Sequence, residues 1–292
     1  MSTLTRIAPI LFVLLWSTGF IGAKLGAPYS DPFPFLSIRF LIVIPLFAVL
    51  IALAGGSLYL PRKQIALSIF VGTLIHGTYL GGVFWAIDRG MPAGASTAIL
   101  GLQPVLTAMM AYLLLKEPVR LRQWAGLVLG LFGLMAVVLP RLNVEDATGI
   151  PAITIPAIIL AVLGISLGTV VQKKMPVGAS LLTVTFYQYI GALLVTLPLS
   201  FTESWTVVWA PEFIIAILWL VLVLSVGAVL LLLLLIREGA VASTASLFYL
   251  VPVATSIESY FLFSETLTVV QMVGMLVMVV AIIMSRPKQQ AR

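Results

Sequence analysis

The chain has 292 residues, of which 61% are hydrophobic and 9% charged, against roughly a quarter charged in a soluble domain. A soluble enzyme or binding domain is excluded, and the formal net charge of +6 carries no nucleic-acid signal until it is read loop by loop. With no cysteine in the chain, disulfides, thiol catalysis and cysteine metal sites are excluded too.

Apolar runs of about 20 residues, the length that spans hydrocarbon as a helix, predict an all-α integral membrane protein with ten transmembrane helices. The first five spans are Ile7–Leu25, Pro34–Leu53, Ile65–Ile87, Pro92–Leu115 and Leu121–Leu139. The second five are Ile153–Val171, Ala179–Phe201, Phe213–Ile236, Val241–Phe263 and Leu267–Met284. No small-residue cleavage site follows the first run, so it reads as an uncleaved helix. Loops are short and carry breaking residues such as Pro28, Gly55, Gly90, Pro118 and Pro176. The polar stretch 140–151 is the best boundary, giving units 1–145 and 146–292.

The two units repeat. Adding 148 carries Arg89 to Arg237, Pro104 to Pro252, Thr107 to Thr255, Tyr112 to Tyr260, Glu117 to Glu265, Gln123 to Gln271 and Gly126 to Gly274. Near the start of each unit the offset is 149: Ser17 meets Ser166, Gly19 meets Gly168 and Lys24 meets Lys173. Biased composition does not align proline, tyrosine, glutamate, glutamine and glycine in order, so the repeat is genuine. Five spans per unit is an odd number, so the halves insert upside down relative to each other. Inverted repeats supply equivalent gates on opposite faces of one central cavity.

Orientation follows from the loop cations. Arg6, Arg62, Lys63, Lys116, Arg120, Arg122, Lys173, Lys174, Arg237, Arg286, Lys288 and Arg292 fall on one side; Lys24, Arg89 and Arg141 fall on the other. Both termini are therefore expected in the cytoplasm.

The order of short motifs resembles a known family. Trp16-Ser17-Thr18-Gly19-Phe20 lies in the first span and Ser37-Ile38-Arg39-Phe40 in the second. Gly94-Ala95-Ser96-Thr97-Ala98 precedes Gln103-Pro104, and Lys116-Glu117-Pro118 closes the fourth span. With the five-plus-five repeat, these resemble the drug/metabolite transporter superfamily in its EamA-type branch, which includes YddG-like amino-acid exporters. The resemblance implies a cavity lined mainly by the first four helices of each half, and metabolite export across a bacterial inner membrane.

Polar side chains mark the expected inward faces, because amide and hydroxyl groups in hydrocarbon need partners. Candidate substrate-binding residues are Trp16, Ser17, His76, Tyr79, Gln103, Tyr187, Gln188, Tyr249 and Glu258, with Pro104 and Pro252 as gating kinks. Trp16 suits a headgroup anchor as well as a cavity wall. His76 suits a substrate carboxylate, a protonation sensor, or a neutral histidine bonded to a neighbouring helix. Glu258, whose repeat twin is Met110, suits a substrate ammonium, a coupling proton, a carboxylate snorkelling outward, or an ion pair with Arg39. Arg39 is read as snorkelling to the outer headgroups; its twin is Gln188, so the repeat does not require its charge. Glu117 and Glu265 are read as structural. Spans five and ten, nearly free of polar side chains, are read as facing lipid, with Gly126 and Gly130 marking a close helix contact.

A serine hydrolase would need a nucleophile beside His76, and no Gly-x-Ser-x-Gly run exists. One histidine and no paired intramembrane carboxylates argue against a metal hydrolase, so the reading is a non-enzyme without metal or cofactor. The expected activity is export of amino acids, aromatic ones included, or similar small amphipathic metabolites by alternating access. The expected partners are that small-molecule substrate and the lipid bilayer, with no nucleic acid, and the expected state is a monomer. The alternatives are a multidrug exporter of lipophilic cations and a proton-independent facilitator.

Overall fold

The computed structural model describes residues 3–141, 150–263 and 267–285. Glu265 and the tip of the linker between the halves lie outside them. The described residues form ten long helices: α1 (Thr3–Gly26), α2 (Pro32–Leu53), α3 (Arg62–Asp88), α4 (Gly94–Leu115), α5 (Leu121–Val138), α6 (Thr154–Gln172), α7 (Leu181–Ser200), α8 (Pro211–Glu238), α9 (241–263) and α10 (Val269–Ser285). Nine are long and apolar enough to cross a membrane, and α10 is a shorter apolar helix. The predicted ends agree to within a few residues.

Helix neighbours follow the repeat. α1 packs on α8 and α9, and its twin α6 packs on α3 and α4. α2 packs on α8, and its twin α7 on α3. The self-related pairs α2–α7, α4–α9 and α5–α10 also touch. Every such pair joins one half to the other, so neither half buries its polar faces alone.

Glycines set how closely these pairs approach. A Cβ on Gly19 would sit 2.4 Å from a Leu224 methyl, and one on Gly168 would sit 2.5 Å from Ile75. Gly19 and Gly168 are repeat twins, as are Leu224 and Ile75, so one knob-and-notch contact is built twice. On the α5–α10 seam, a Cβ on Gly126 would meet the Ala281 carbonyl at 2.7 Å and one on Gly133 the Gly274 carbonyl at 2.9 Å. Gly130 makes its close contact with another helix: it faces the Tyr249 ring on α9.

Two irregularities also recur. Residues Thr73–Thr78 of α3 and Leu220–Ala228 of α8 are π-helical, and adding 149 to the first segment lands inside the second. A π turn widens the helix and turns its later face. Here the widened turns bear Ile75 and Leu224, the knobs that fill the Gly168 and Gly19 notches. α4 breaks at Gly101 and Leu102 just before Pro104, and α9 tightens to a 3-10 turn at Leu247–Tyr249 just before Pro252. Proline has no N–H with which to continue the ladder, which accounts for both interruptions.

Candidate functional site

Between the halves lies a cavity of about 820 Å³, within the range of roughly 300–1,000 Å³ typical of small-molecule sites. Its rim carries Lys24, Pro28, Asp88 and Pro92, from the far end of α1 and the turns that follow α1 and α3. Its floor is Trp16 and Phe248, with Phe12 beneath; the three rings meet pairwise at 5.3 Å between centroids. Trp16 lies eight residues below Lys24, roughly 12 Å along the helix. The walls are largely aromatic and aliphatic, with Phe35 stacked on Phe84 at 5.9 Å. Leu134, Val137 and Val138 of α5 also line the cavity, so α5 does not face lipid alone as expected from its lack of polar side chains.

The opposite side is tied shut. Lys173 Nζ donates to the carbonyls of Ile236, Arg237 and Gly239 at 2.8, 3.1 and 2.6 Å, across the C-terminus of α8, where a cation also complements the helix dipole. Arg237 Nη1 donates to the Val177 and Ala179 carbonyls at 2.7 and 3.2 Å. α4 ends at Lys116 in the left-handed region (φ 55). The turn brings Glu117 to α9, where Oε2 accepts from the Val241 N–H at 3.0 Å. On the cavity's own side the ties lie at the edge. Glu203 Oε2 accepts from the Phe33 N–H at 2.8 Å, and burial raises its carboxyl above the usual range while that bond opposes the shift.

At the cavity wall and just behind it the pseudo-symmetry places polar groups in matched pairs, of which Arg39 and His76 line the cavity. Arg39 on α2 donates from Nε and Nη2 to Ser225 Oγ on α8, at 3.2 and 3.0 Å. The repeat twins of Arg39 and Ser225 are Gln188 and His76, and these also lie side by side. Between the pairs, Tyr189 stacks on His76 at 4.8 Å, lies 5.6 Å from Phe40, and donates its hydroxyl to the Ser225 carbonyl at 3.0 Å. Arg39 is only 3% exposed and lines the cavity. It does not reach the outer headgroups, because its side chain points across to the π turn of α8.

The residues singled out from sequence divide into two groups. Trp16, His76, Tyr79, Gln103, Pro104, Tyr249 and Pro252 all line the cavity. Tyr249 offers its ring, since its hydroxyl donates to the Leu127 carbonyl at 2.9 Å. Ser17, Tyr187, Gln188 and Glu258 are not on the cavity wall. Ser17 Oγ sits 2.6 Å from Glu258 Oε1, tying α1 to α9, so Glu258 does not pair with Arg39. Tyr187 donates its hydroxyl to the Leu58 carbonyl in the α2–α3 turn at 3.0 Å. Gln188 lies where α7 crosses α3, and its amide donates to Gln172 Oε1 at 2.6 Å. Ser225, Tyr189 and Phe248 were missed by sequence reasoning, and Arg39 was assigned to the headgroups instead of the cavity. The twin relation of Ser225 to His76 was the available signal.

Residues 5–139 and again 152–286 match the EamA-like transporter family. The chain belongs to that family. A Bacillus subtilis protein described as the uncharacterized transporter YvbV is 28% identical over 99% of this chain and 94% of its own length. A probable amino-acid metabolite efflux pump of Escherichia coli is 27% identical over 49% of this chain and 46% of its own. A crystal structure at 16% identity superposes with a TM-score of 0.81, covering 98% of this chain and 97% of that one. The protein is thus a multi-pass membrane transporter of the EamA type, and its relatives carry transporter names.

His76 shows how a cavity residue and a core residue can be separated. It is 2% exposed, and its Nε2 has no hydrogen-bonding partner among the described residues. His76→Phe keeps a ring on Tyr189 and removes that buried polar atom, so thermal stability should hold or rise. His76→Ala loses the stack and leaves a void, and should be less stable by about 2 kcal/mol. Unfolding in detergent, followed by Trp fluorescence, checks both; a His76→Phe protein as unstable as His76→Ala would mean that the imidazole nitrogens hold the core.

Proposed function

We propose that this EamA-type transporter exports amino acids, aromatic ones included, and similar small amphipathic metabolites by alternating access. The observation that carries the reading is the cavity between the inverted halves: open on one face, and closed on the other by Lys173, Glu117 and the Trp16–Phe248 floor. Lys173 has its repeat twin, Lys24, on the rim of the open face. One half-turn of the same chemistry can therefore close what is open and open what is closed. The aromatic walls suit an apolar side chain, and the naming of a relative as a probable amino-acid metabolite efflux pump supports the same cargo.

On this reading the repeat units are 1–145 and 146–292. The protein sits as a monomer in a bacterial inner membrane, with the Lys/Arg-rich face and both termini in the cytoplasm. The present state then opens outward. Cargo leaves chemically unchanged, with neither catalysis nor cofactor. A lipophilic-cation exporter is less well supported, because Glu258 does not line the cavity and Arg39 does.

Proteoliposomes loaded with unlabelled phenylalanine test it. External labelled phenylalanine should be taken up by counterflow and recovered unaltered, while ethidium should not move. Ethidium transport without phenylalanine exchange would replace this reading with the cation exporter.

A further inference from the structure

Among the described residues no carboxylate balances the charge of Arg39, whose guanidinium lies 5.9 Å from the Phe40 ring centroid. Arg39 lies seven residues inside α2, roughly 10 Å from that helix's start, and is 3% exposed. Nε and Nη2 share one neutral acceptor, Ser225 Oγ, whose own proton goes to the Leu220 carbonyl at 3.0 Å. A guanidinium has five N–H donors in a planar fork, so this single oxygen leaves part of the fork unused. Among the described residues no carboxylate lies within ion-pair distance of it, and the ion pair found there, Arg89–Asp88 at 3.8 Å, is on the surface. α2 contains no acid, α7 contains none, and the acids of α8, Glu212 and Glu238, lie at its two ends.

The repeat shows that structure alone does not demand this cation. At the symmetry-related position Gln188, a neutral amide, stands beside His76, the twin of Ser225, and donates to Gln172 at 2.6 Å. An intramembrane arginine is retained where something pairs with it. Beside it the cavity is bounded by Trp16, Ile75, Tyr79 and Leu224. A cavity with apolar walls and one fork-shaped cation at its depth is complementary to a carboxylate on an apolar body, because the guanidinium and carboxylate planes match in two parallel hydrogen bonds. It offers no carboxylate at that depth for an ammonium: the acid that lines it among the described residues is Asp88, on the rim.

We infer that Arg39 is the carboxylate anchor of the cavity and that the cargo class is amphipathic monocarboxylates, in which a free amino group is dispensable. This rests on the exporter reading above and narrows it: aryl-alkanoates and N-acylated amino acids are bound as well as free aromatic amino acids.

Binding of four related compounds to the purified full chain in nanodiscs tests this by calorimetry: 3-phenylpropanoate, N-acetylphenylalanine, phenylalanine and phenylalaninamide. The three carboxylates should bind within a few-fold of one another, and the cationic amide about tenfold to a hundredfold more weakly, as expected for one lost charge-assisted contact. Arg39→Gln, which can still reach Ser225, should weaken the carboxylates by the same factor and leave the amide unchanged. Ser225→Ala keeps the charge and removes the structural bond, and should retain carboxylate binding. If Ser225→Ala loses as much as Arg39→Gln, Arg39 is a helix link and the inference fails. If Arg39→Gln does not fold, the comparison of compounds on the unmodified chain decides. Phenylalaninamide binding as tightly as the carboxylates, with phenylalanine counterflow intact, overturns the anchor and leaves the exporter standing. No binding of any compound and no counterflow overturns both.

Discussion

Lys173→Met should swing the protein toward the opposite-facing state. Lys173 makes three charge-assisted bonds to the last carbonyls of α8; each such bond contributes about 1.5–3 kcal/mol. Water takes over part of that when the gate opens. A net loss of about 3 kcal/mol still changes the ratio of the two states by roughly a hundredfold. The chain has no cysteine, so spin labels can be introduced in pairs without a background. Labels at Val177 and Glu238 flank the closed side, and labels at Pro28 and Arg89 flank the open one. In Lys173→Met the first distance should lengthen and the second shorten. Two unchanged distances would mean that Lys173 only caps a helix. The repeat carries Lys173 to Lys24 and the end of α8 to the end of α3, so in the alternate state Lys24 is expected on the last carbonyls of α3. Lys24→Met should then move both distances the other way.

Gly72→Leu should abolish folding. A Cβ there would lie 1.9 Å from the Gln188 carbonyl oxygen and 2.5 Å from its carbon and Cα. Those are backbone atoms, which cannot rotate aside like a side chain. Gly191 meets the Ile69 carbonyl in the same way, at 2.1 Å, from the other helix. Overpacking a core commonly costs about 1–3 kcal/mol. Here two backbones that also hold His76 and Tyr189 must separate, so Gly72→Ala alone should exceed that range and the leucine variant should not accumulate in membranes. Gly178, with nothing within 4 Å of a Cβ, is the control, and its alanine variant should unfold like the parent. Normal accumulation of Gly72→Leu would show that α3 and α7 are not in backbone contact.

Much of this fold was legible because a repeat constrains topology as well as composition. Ten apolar runs, a shift of 148 or 149 and an odd number of spans per half lead directly to inverted halves, and the helix neighbours obey them. Depth was legible too: His76, Tyr79 and Gln103 were chosen as mid-membrane polar groups and all line the cavity. Azimuth was not. Arg39 is close enough to a helix end to suggest snorkelling, and nothing local reveals that Ser225 arrives opposite it from 186 residues away. Tyr187 and Tyr189 differ by two positions, nearly opposite faces of a helix. The first bonds a loop at the surface, and the second lies at the centre of the molecule. The two π turns shift the facing of α3 and α8 partway along, which no uniform helical period can anticipate. Glycine spacing suggested a contact for Gly126 and Gly130 alike, but only contact geometry separates a helix seam from a seat for the Tyr249 ring.

With Arg39 as the carboxylate anchor inferred above, the transport cycle would also have an electrical polarity. With a carboxylate aboard, site and cargo sum to zero, and the loaded reorientation displaces little charge. The empty protein reorients with the positive charge unmatched, so the membrane field acts on that limb. A unit charge moved through 100 mV gains or loses about 2.3 kcal/mol. In a cell that is negative inside, the favoured direction of the empty limb is from outward-facing back to inward-facing. Voltage would then reset the carrier after each release, and net efflux of an anion could run on the resting potential with no proton exchanged.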